Sequence, residues 1–401
     1  MVVTPSGSQK VDALTCDLVE ISWSLQGEKD HMTSKIEFWR VANGFPGTTA
    51  SQAERAEVEG WDGLSVPDSQ NLTGDPYVAL ALAASVTSKL LLRPGVTNSF
   101  TRHPAVTATS ILTVQVESKG RAVLGIGRGD SALAHLGLAP MSVPLFRKYV
   151  ERVQGYLRGE ELPFDTQTDS KGEIASADTL VMASAPKGSK LRWAQYASVP
   201  KVPVDGAVTG PKAIAAIAPV AERVTFAVGA DPERVRWALG VAHEARSKEG
   251  LDPDAVEWGV MLHVSPHPDR RTAIEMISGT IASIARFSVM QGRPLGPMSD
   301  GVRQSLLEIH RVYDMNKHAR RGAHTAAATE ELIDTFAIAG SAAHCVERLL
   351  ALRALGITKF HILTADWRNL EPAWQEHARK SLAQELLPGV REGCARYDAR
   401  A

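Results

Sequence analysis

Cysteine is scarce in this chain. Cys16, Cys345 and Cys394 are odd in number and far apart, which excludes a disulfide framework and points to a reducing compartment. An excess of charge of either sign is also missing. The 44 Lys and Arg stand against 45 Asp and Glu, for a formal charge of −1. Nucleic acid, whose phosphates demand a basic surface, is therefore not an expected partner. Long hydrophobic runs are absent too. Uncharged apolar stretches such as Tyr77 to Ser88 fall short of the roughly 18–20 residues that span a bilayer. No membrane partner is expected. The opening MVVTPSGSQK lacks a basic segment followed by an apolar one, so it does not read as a signal peptide, and the expected location is the cytoplasm.

Several motifs are missing as well. No Gly-Lys pair occurs anywhere, which removes the phosphate-binding P-loop. His243-Glu244 has no second His at helical spacing, and no CxxC occurs, so no metal site is indicated. Gly125, Gly127 and Gly129 lack the third glycine and the helix start of a dinucleotide fingerprint.

What remains is a globular composition, 44% hydrophobic and 22% charged, able to bury a sizeable core. From Lys35 onward the chain alternates short apolar runs with helical patterns. KIEFWRV (35–41), GLSVP (63–67), KLLLRPGVTN (89–98), RAVLGIG (121–127), VPVDGAV (202–208), RVTFAVG (223–229), VEWGVMLHV (256–264) and KFHILTA (359–365) read as eight strands. They are apolar on both sides, as parallel strands buried on both faces must be. Between them lie helices such as Thr49–Glu59, Pro76–Thr87, Pro104–Val116, Glu233–Lys248 and Ala342–Leu355. Several open on proline, where the missing N–H costs nothing. Eight such units predict an α/β fold, a (β/α)₈ TIM barrel.

Two connections are too long for simple turns. The segment 159–201, after the fourth strand, reads as an extended surface loop. The segment after the seventh carries helical stretches at 272–290 and 302–318 and reads as an excursion over the barrel mouth. The domain boundaries expected are a flexible N-terminal extension at 1–34, the barrel at 35–388 and a tail at 389–401.

In such a barrel, chemistry gathers at the C-terminal strand ends. These ends carry Asp68, then Gly95-Val96-Thr97-Asn98, then Gly127-Arg128-Gly129-Asp130, then Thr209-Gly210-Pro211, then Gly229-Ala230, then His263. Thr209-Gly210-Pro211 opens a helix, whose bare N–H groups could hold a phosphate or could form an ordinary turn. Gly95 interrupts a strand and marks a bulge or a kink. Asp68 and Asp130 divide between site residue and helix cap. His103 reads as a turn residue, and His263 and His310 as packing residues. Trp39 points either into the barrel or to its mouth.

PGVTNSFTRHPAVTA (94–108), RAVLGIGRGDS (121–131), VTGPKAI and RVTFAVGADPERV resemble the corresponding segments of methylenetetrahydromethanopterin reductases, within the bacterial luciferase-like oxidoreductases. The resemblance implies a barrel whose mouth holds either coenzyme F420 or FMN. It implies a cis peptide at Gly95–Val96 in a bulge backing the ring. It places ring contacts at Asp68, Gly95, Val96, Thr97 and Asn98, phosphate contacts at Thr209, Gly210, Pro211, Gly229 and Ala230, and a catalytic acid at Asp130. Sugar-phosphate dehydrogenases of this group have His after the strand-two acid. Here Ser69 stands there, which argues against glucose 6-phosphate. The expected function is F420-dependent hydride transfer with a small organic substrate. The alternatives are a reduced-FMN-dependent monooxygenase and a non-catalytic cofactor-binding protein. The expected partners are a small-molecule substrate and, as a candidate, a second copy of the chain in a homodimer.

Overall fold

The computed structural model describes residues 36–164, 177–364 and 371–398. Contacts divide the chain into two units, Met1–Lys35 and Ile36–Ala401. The expected N-terminal extension lies outside the described residues.

Ten strands form one parallel sheet: β1 (Glu37–Val41), β2 (Gly63–Val66), β3 (Leu91–Pro94), β4 (Thr97–Asn98), β5 (Leu124–Gly127), β6 (Val204–Val208), β7 (Arg223–Phe226), β8 (Glu257–Pro266), β9 (Ala337–Gly340) and β10 (Lys359–Leu363). The order is β3-β2-β1-β10-β8-β7-β6-β5-β4, with β9 on β8. A parallel bridge between Leu92 and Ala122 brings the two ends of that order together. The eight expected strands are thus the eight staves of a barrel. The third is split into β3 and β4, and β9 is an unanticipated addition. β9 returns from the long excursion and lies along the C-terminal half of β8, with Ala337 opposite His263.

The helices between the strands start where the sequence says they should. Asp75 accepts from the N–H groups of Tyr77 and Val78 at 2.8 and 3.1 Å, and Asp231 from those of Glu233 and Arg234 at 2.9 and 3.0 Å. His103 Nδ1 accepts from Ala105 N–H, the turn role expected of it. Residues 132–158 carried no assignment from sequence; they hold a helix at Val143–Leu157. The helix Leu387–Asp398 places Val390 and Cys394 in the barrel's hydrophobic core, beyond the domain end expected at 388.

Strand side chains alternate. Phe38, Leu64, Leu92, Val224, Val260 and Phe360 pack outward against the helices in one core. The alternate set, Trp39, Arg93, Asp205, Thr225 and His361, meets inside the barrel. Trp39 is fully buried there, 5.4 Å from the His361 ring. Asp205 is bound by Arg93 at 2.6 Å, Lys359 at 3.3 Å and the Thr225 hydroxyl at 2.8 Å. Arg93 also lies 2.9 Å from His361 Nε2. Burial alone would raise the Asp205 carboxyl, but Lys359 and Arg93 hold it well below the usual carboxylate range. Burial, and then Arg93, pushes His361 down to about 3, so this imidazole is neutral.

Candidate active site

Above this charged layer the barrel opens into a cavity of about 1380 Å³ at the C-terminal strand ends, partly covered by the excursion that follows β8. Asp68, Gly95, Val96, Thr97, Asn98, Asp130, Thr209, Gly210 and Pro211 all line it. The ends of five strands, β2 to β6, therefore bring the sequence-predicted residues to one place, with two exceptions.

The exceptions are Gly229 and Ala230. Neither lines the cavity. The Ala230 N–H is spent on Thr335 O at 2.8 Å, and a Cβ on Gly229 would stand 2.6 Å from the same oxygen. Arg234 closes the β7 end further, donating to Val228 O, Pro297 O and Leu295 O at 2.7, 2.8 and 3.1 Å. Of the two strand ends expected to cradle a phosphate, that of β6 faces the cavity and that of β7 does not. The excursion covers the β7 end as it returns through β9.

The Gly95–Val96 peptide is cis, as the resemblance implied. Gly95 is required by space, because a Cβ there would stand 2.5 Å from that of Ser65. The turn into β4 is clamped by Asp68. Its carboxylate accepts from the Thr97 hydroxyl at 2.6 Å, Arg102 at 2.5 Å and Gln70 at 2.7 Å. Gln70 Oε1 accepts from Asn98 Nδ2 at 3.0 Å, and Asn98 Oδ1 accepts from the N–H groups of Phe100 and Thr101. Arg102 rests over the Tyr77 ring at 5.0 Å and also pairs with Asp75. Asp68 is neither a helix cap nor an unbound carboxylate. It is an anchor that fixes the cavity wall.

Asp130 precedes a short helix without capping it, and pairs instead with Arg286 from the excursion. Arg286 lies over the Tyr313 ring at 4.7 Å and the Phe287 ring at 5.4 Å. Burial lowers its pKa, but from so far above neutrality that it stays cationic. Asp130 is therefore an ion-paired carboxylate at the mouth. The partner lies 156 residues away, and nothing in the local sequence signals it.

Positive charge is left over. Arg128, Lys212, Arg293 and Arg320 line the cavity, and none has an acidic partner among the described residues. Arg128 is half-buried at the β5 end, with Met141 O at 2.5 Å from its Nε, and burial lowers its pKa. Lys212 stands at the neighbouring β6 end, beside Gly210-Pro211. At that helix start Ala213 N–H already donates to Gly210 O at 3.0 Å, so side-chain cations supplement the backbone there. These residues fit an anionic cofactor group near the β5 and β6 ends.

The sequence suggests a packing role for His263, yet it lines the cavity floor while being 1% exposed. Its buried Nδ1 has no hydrogen-bond partner. Burial pushes its pKa down to about 4, so the imidazole is neutral near pH 7. The available signal was phase: His263 follows Gly259 and Met261 at a spacing of two, near the C-terminal end of an inward-facing strand.

The luciferase-like monooxygenase family profile matches residues 20–359. A 5,10-methylenetetrahydromethanopterin reductase of Methanopyrus kandleri is 26% identical over 329 residues, covering 78% of this chain and 86% of that protein. The solved coenzyme F420 dependent tetrahydromethanopterin reductase of the same organism superposes with a TM-score of 0.65 at 22% identity, covering 88% of this chain and 99% of that one. The oxygenating constituent of 3,6-diketocamphane monooxygenase from Pseudomonas putida, solved with FMN, gives a TM-score of 0.56 at 17% identity, with coverages of 88% and 98%. With the barrel, the mouth cavity and these matches in agreement, the chain belongs to the luciferase-like monooxygenase family and is an oxidoreductase.

Proposed function

We propose that the protein uses coenzyme F420 to transfer a hydride to or from a small organic substrate at the barrel mouth. The observation that carries this reading is the mouth cavity itself. One wall is the β3–β4 bulge fixed by Asp68, and the neighbouring β5 and β6 ends present Arg128 and Lys212, which have no acidic partners among the described residues. Similarity along most of the chain to a reductase whose solved counterpart is F420 dependent supports F420 over FMN. When bound, a deazaflavin supplies carbon chemistry at position 5, which favours two-electron transfer over reaction with oxygen.

The chain's own residues then have definite tasks. Gly95 to Asn98 hold a flat surface against the ring, and the Asp68 and Asn98 hydrogen bonds keep that surface rigid. Arg128 and Lys212 would hold the phosphate, assisted by Thr209 and Gly210. The excursion, pinned by Arg286 to Asp130, excludes water from the mouth. Asp130 reaches the mouth as a carboxylate already neutralised by Arg286, so its role as the acid depends on that pair opening.

Reduced-FMN-dependent oxygenation is the second reading, favoured by the likeness to the FMN-bound monooxygenase component. Mass spectrometry of the cofactor retained by the purified protein tests the choice. F420 is the expected mass; FMN alone would support the second reading.

A further inference from the structure

Ligand pockets for a single drug-sized molecule run to about 300–1,000 Å³. At about 1380 Å³ this cavity has room for a second molecule beside a cofactor. The strand order says where that molecule would sit. Around the barrel, β8 is four staves from the β3–β4 bulge in either direction, so His263 stands on the wall opposite the bulge. The side chains beside it are apolar. Met261 lies two residues back on the same strand, and Leu363 is its register partner on β10. The excursion adds Ile284, Phe287 and Met290 to the same cavity.

Three polar side chains of the excursion's first helices, Thr280, Ser283 and Arg286, are otherwise occupied. Ser283 and Thr280 hydroxyls donate to helix carbonyls at 2.7 and 3.2 Å, and Arg286 is paired with Asp130. Among the described residues lining the cavity, His263 alone carries a buried side-chain polar atom without a hydrogen-bond partner. Such an atom costs stability unless something in the working protein satisfies it.

Building on the F420 reading, we propose that His263 is the substrate-contacting residue, and that the substrate is an apolar small molecule bearing a single carbonyl or hydroxyl group, which its imidazole hydrogen-bonds. A neutral imidazole has one donor and one acceptor nitrogen, so it serves either group. A many-hydroxyl substrate would leave polar atoms against Met261, Leu363 and Phe287, and this wall disfavours it.

The test uses 2-heptanone as probe on full-length protein labelled with ¹⁵N-histidine, both cofactor-free and loaded with F420. The His263 imidazole signal is assigned by its loss in His263→Leu. Saturating ketone is expected to shift that signal. His263→Leu is expected to weaken ketone binding at least tenfold, and His263→Gln by less than threefold. F420 affinity should stay within twofold in both variants, with a melting temperature in His263→Leu no lower than that of wild type. An absence of saturable ketone binding, an unmoved His263 signal, or equal ketone affinity in His263→Leu would overturn the proposal. Wild-type protein that binds the ketone but not F420 would instead sink the cofactor reading and leave the His263 assignment standing, because the cofactor-free arm reads it alone.

Discussion

Two layers of one barrel interior treat polar groups in opposite ways. In the lower layer, Asp205 is surrounded by Arg93, Lys359 and Thr225, with all of these residues at 0% exposure. In the upper layer, among the described residues, Arg128 and Lys212 have no acidic partner and His263 Nδ1 has no hydrogen-bond partner. The contrast separates architecture from site. A charge the fold has already neutralised holds strands in register, whereas one left unneutralised at a cavity wall is available to a ligand. Asp68 and Asp130 belong in this respect with the lower layer, although they stand in the upper one.

The lower layer should be the more sensitive to loss of a partner. Asp205→Ala leaves Arg93 and Lys359 buried without a counter-ion, and should cost about 3–5 kcal/mol in denaturant unfolding. A cost under about 1 kcal/mol would mean that the network is not a structural unit. Acid should have the next largest effect. The folded-state pKa values of His263 and His361 are depressed to about 4 and about 3, from about 6.5 in an unfolded chain. Below pH 6.5 the unfolded chain therefore binds protons that the folded chain does not. Stability should fall as pH drops from 6.5 towards 4, by on the order of 3 kcal/mol for each imidazole. Unfolding curves at stepwise pH would measure it; a flat profile above pH 4.5 would contradict the burial of these imidazoles.

In the upper layer the effects should appear more in binding than in folding. Arg128→Met loses the bond to Met141 O, a stability cost of about 1 kcal/mol, and should weaken cofactor binding by about 1.5–3 kcal/mol, the worth of a charge-assisted hydrogen bond. Gly210→Asp and Gly229→Ala form a sharper pair. The first puts a carboxylate on the cavity wall and should cost roughly 1–2 kcal/mol of cofactor affinity. The second stands at φ +98, against Thr335 O, and should lower stability while leaving affinity unchanged. The reverse pattern would return the phosphate to the β7 end.

The barrel was legible because parallel strands buried on both faces must be short apolar runs, and seven of the eight runs became single strands. β9 was not legible: Ala-Ile-Ala-Gly is too short and too small to stand out inside a helical excursion. Site residues on one strand end were legible where the strand itself aims them, as with Gly95 to Asn98. What the sequence could not convey were partnerships across the fold. Arg286 disarms Asp130, and Thr335 covers Ala230, through tertiary contacts that no local pattern encodes. His263 was visible as a strand-end residue, but only the absence of a partner for its ring distinguishes it from packing.

The proposed function has the mouth cavity hold a deazaflavin by Arg128 and Lys212. Fluorescence titration of wild type and Arg128→Met with F420 and with FMN tests it most directly. F420 should bind at least tenfold more tightly than FMN in wild type, a difference of about 1.4 kcal/mol, with a marked loss of F420 affinity in the variant. FMN binding more tightly than F420, or an Arg128→Met variant with undiminished F420 affinity, would contradict it.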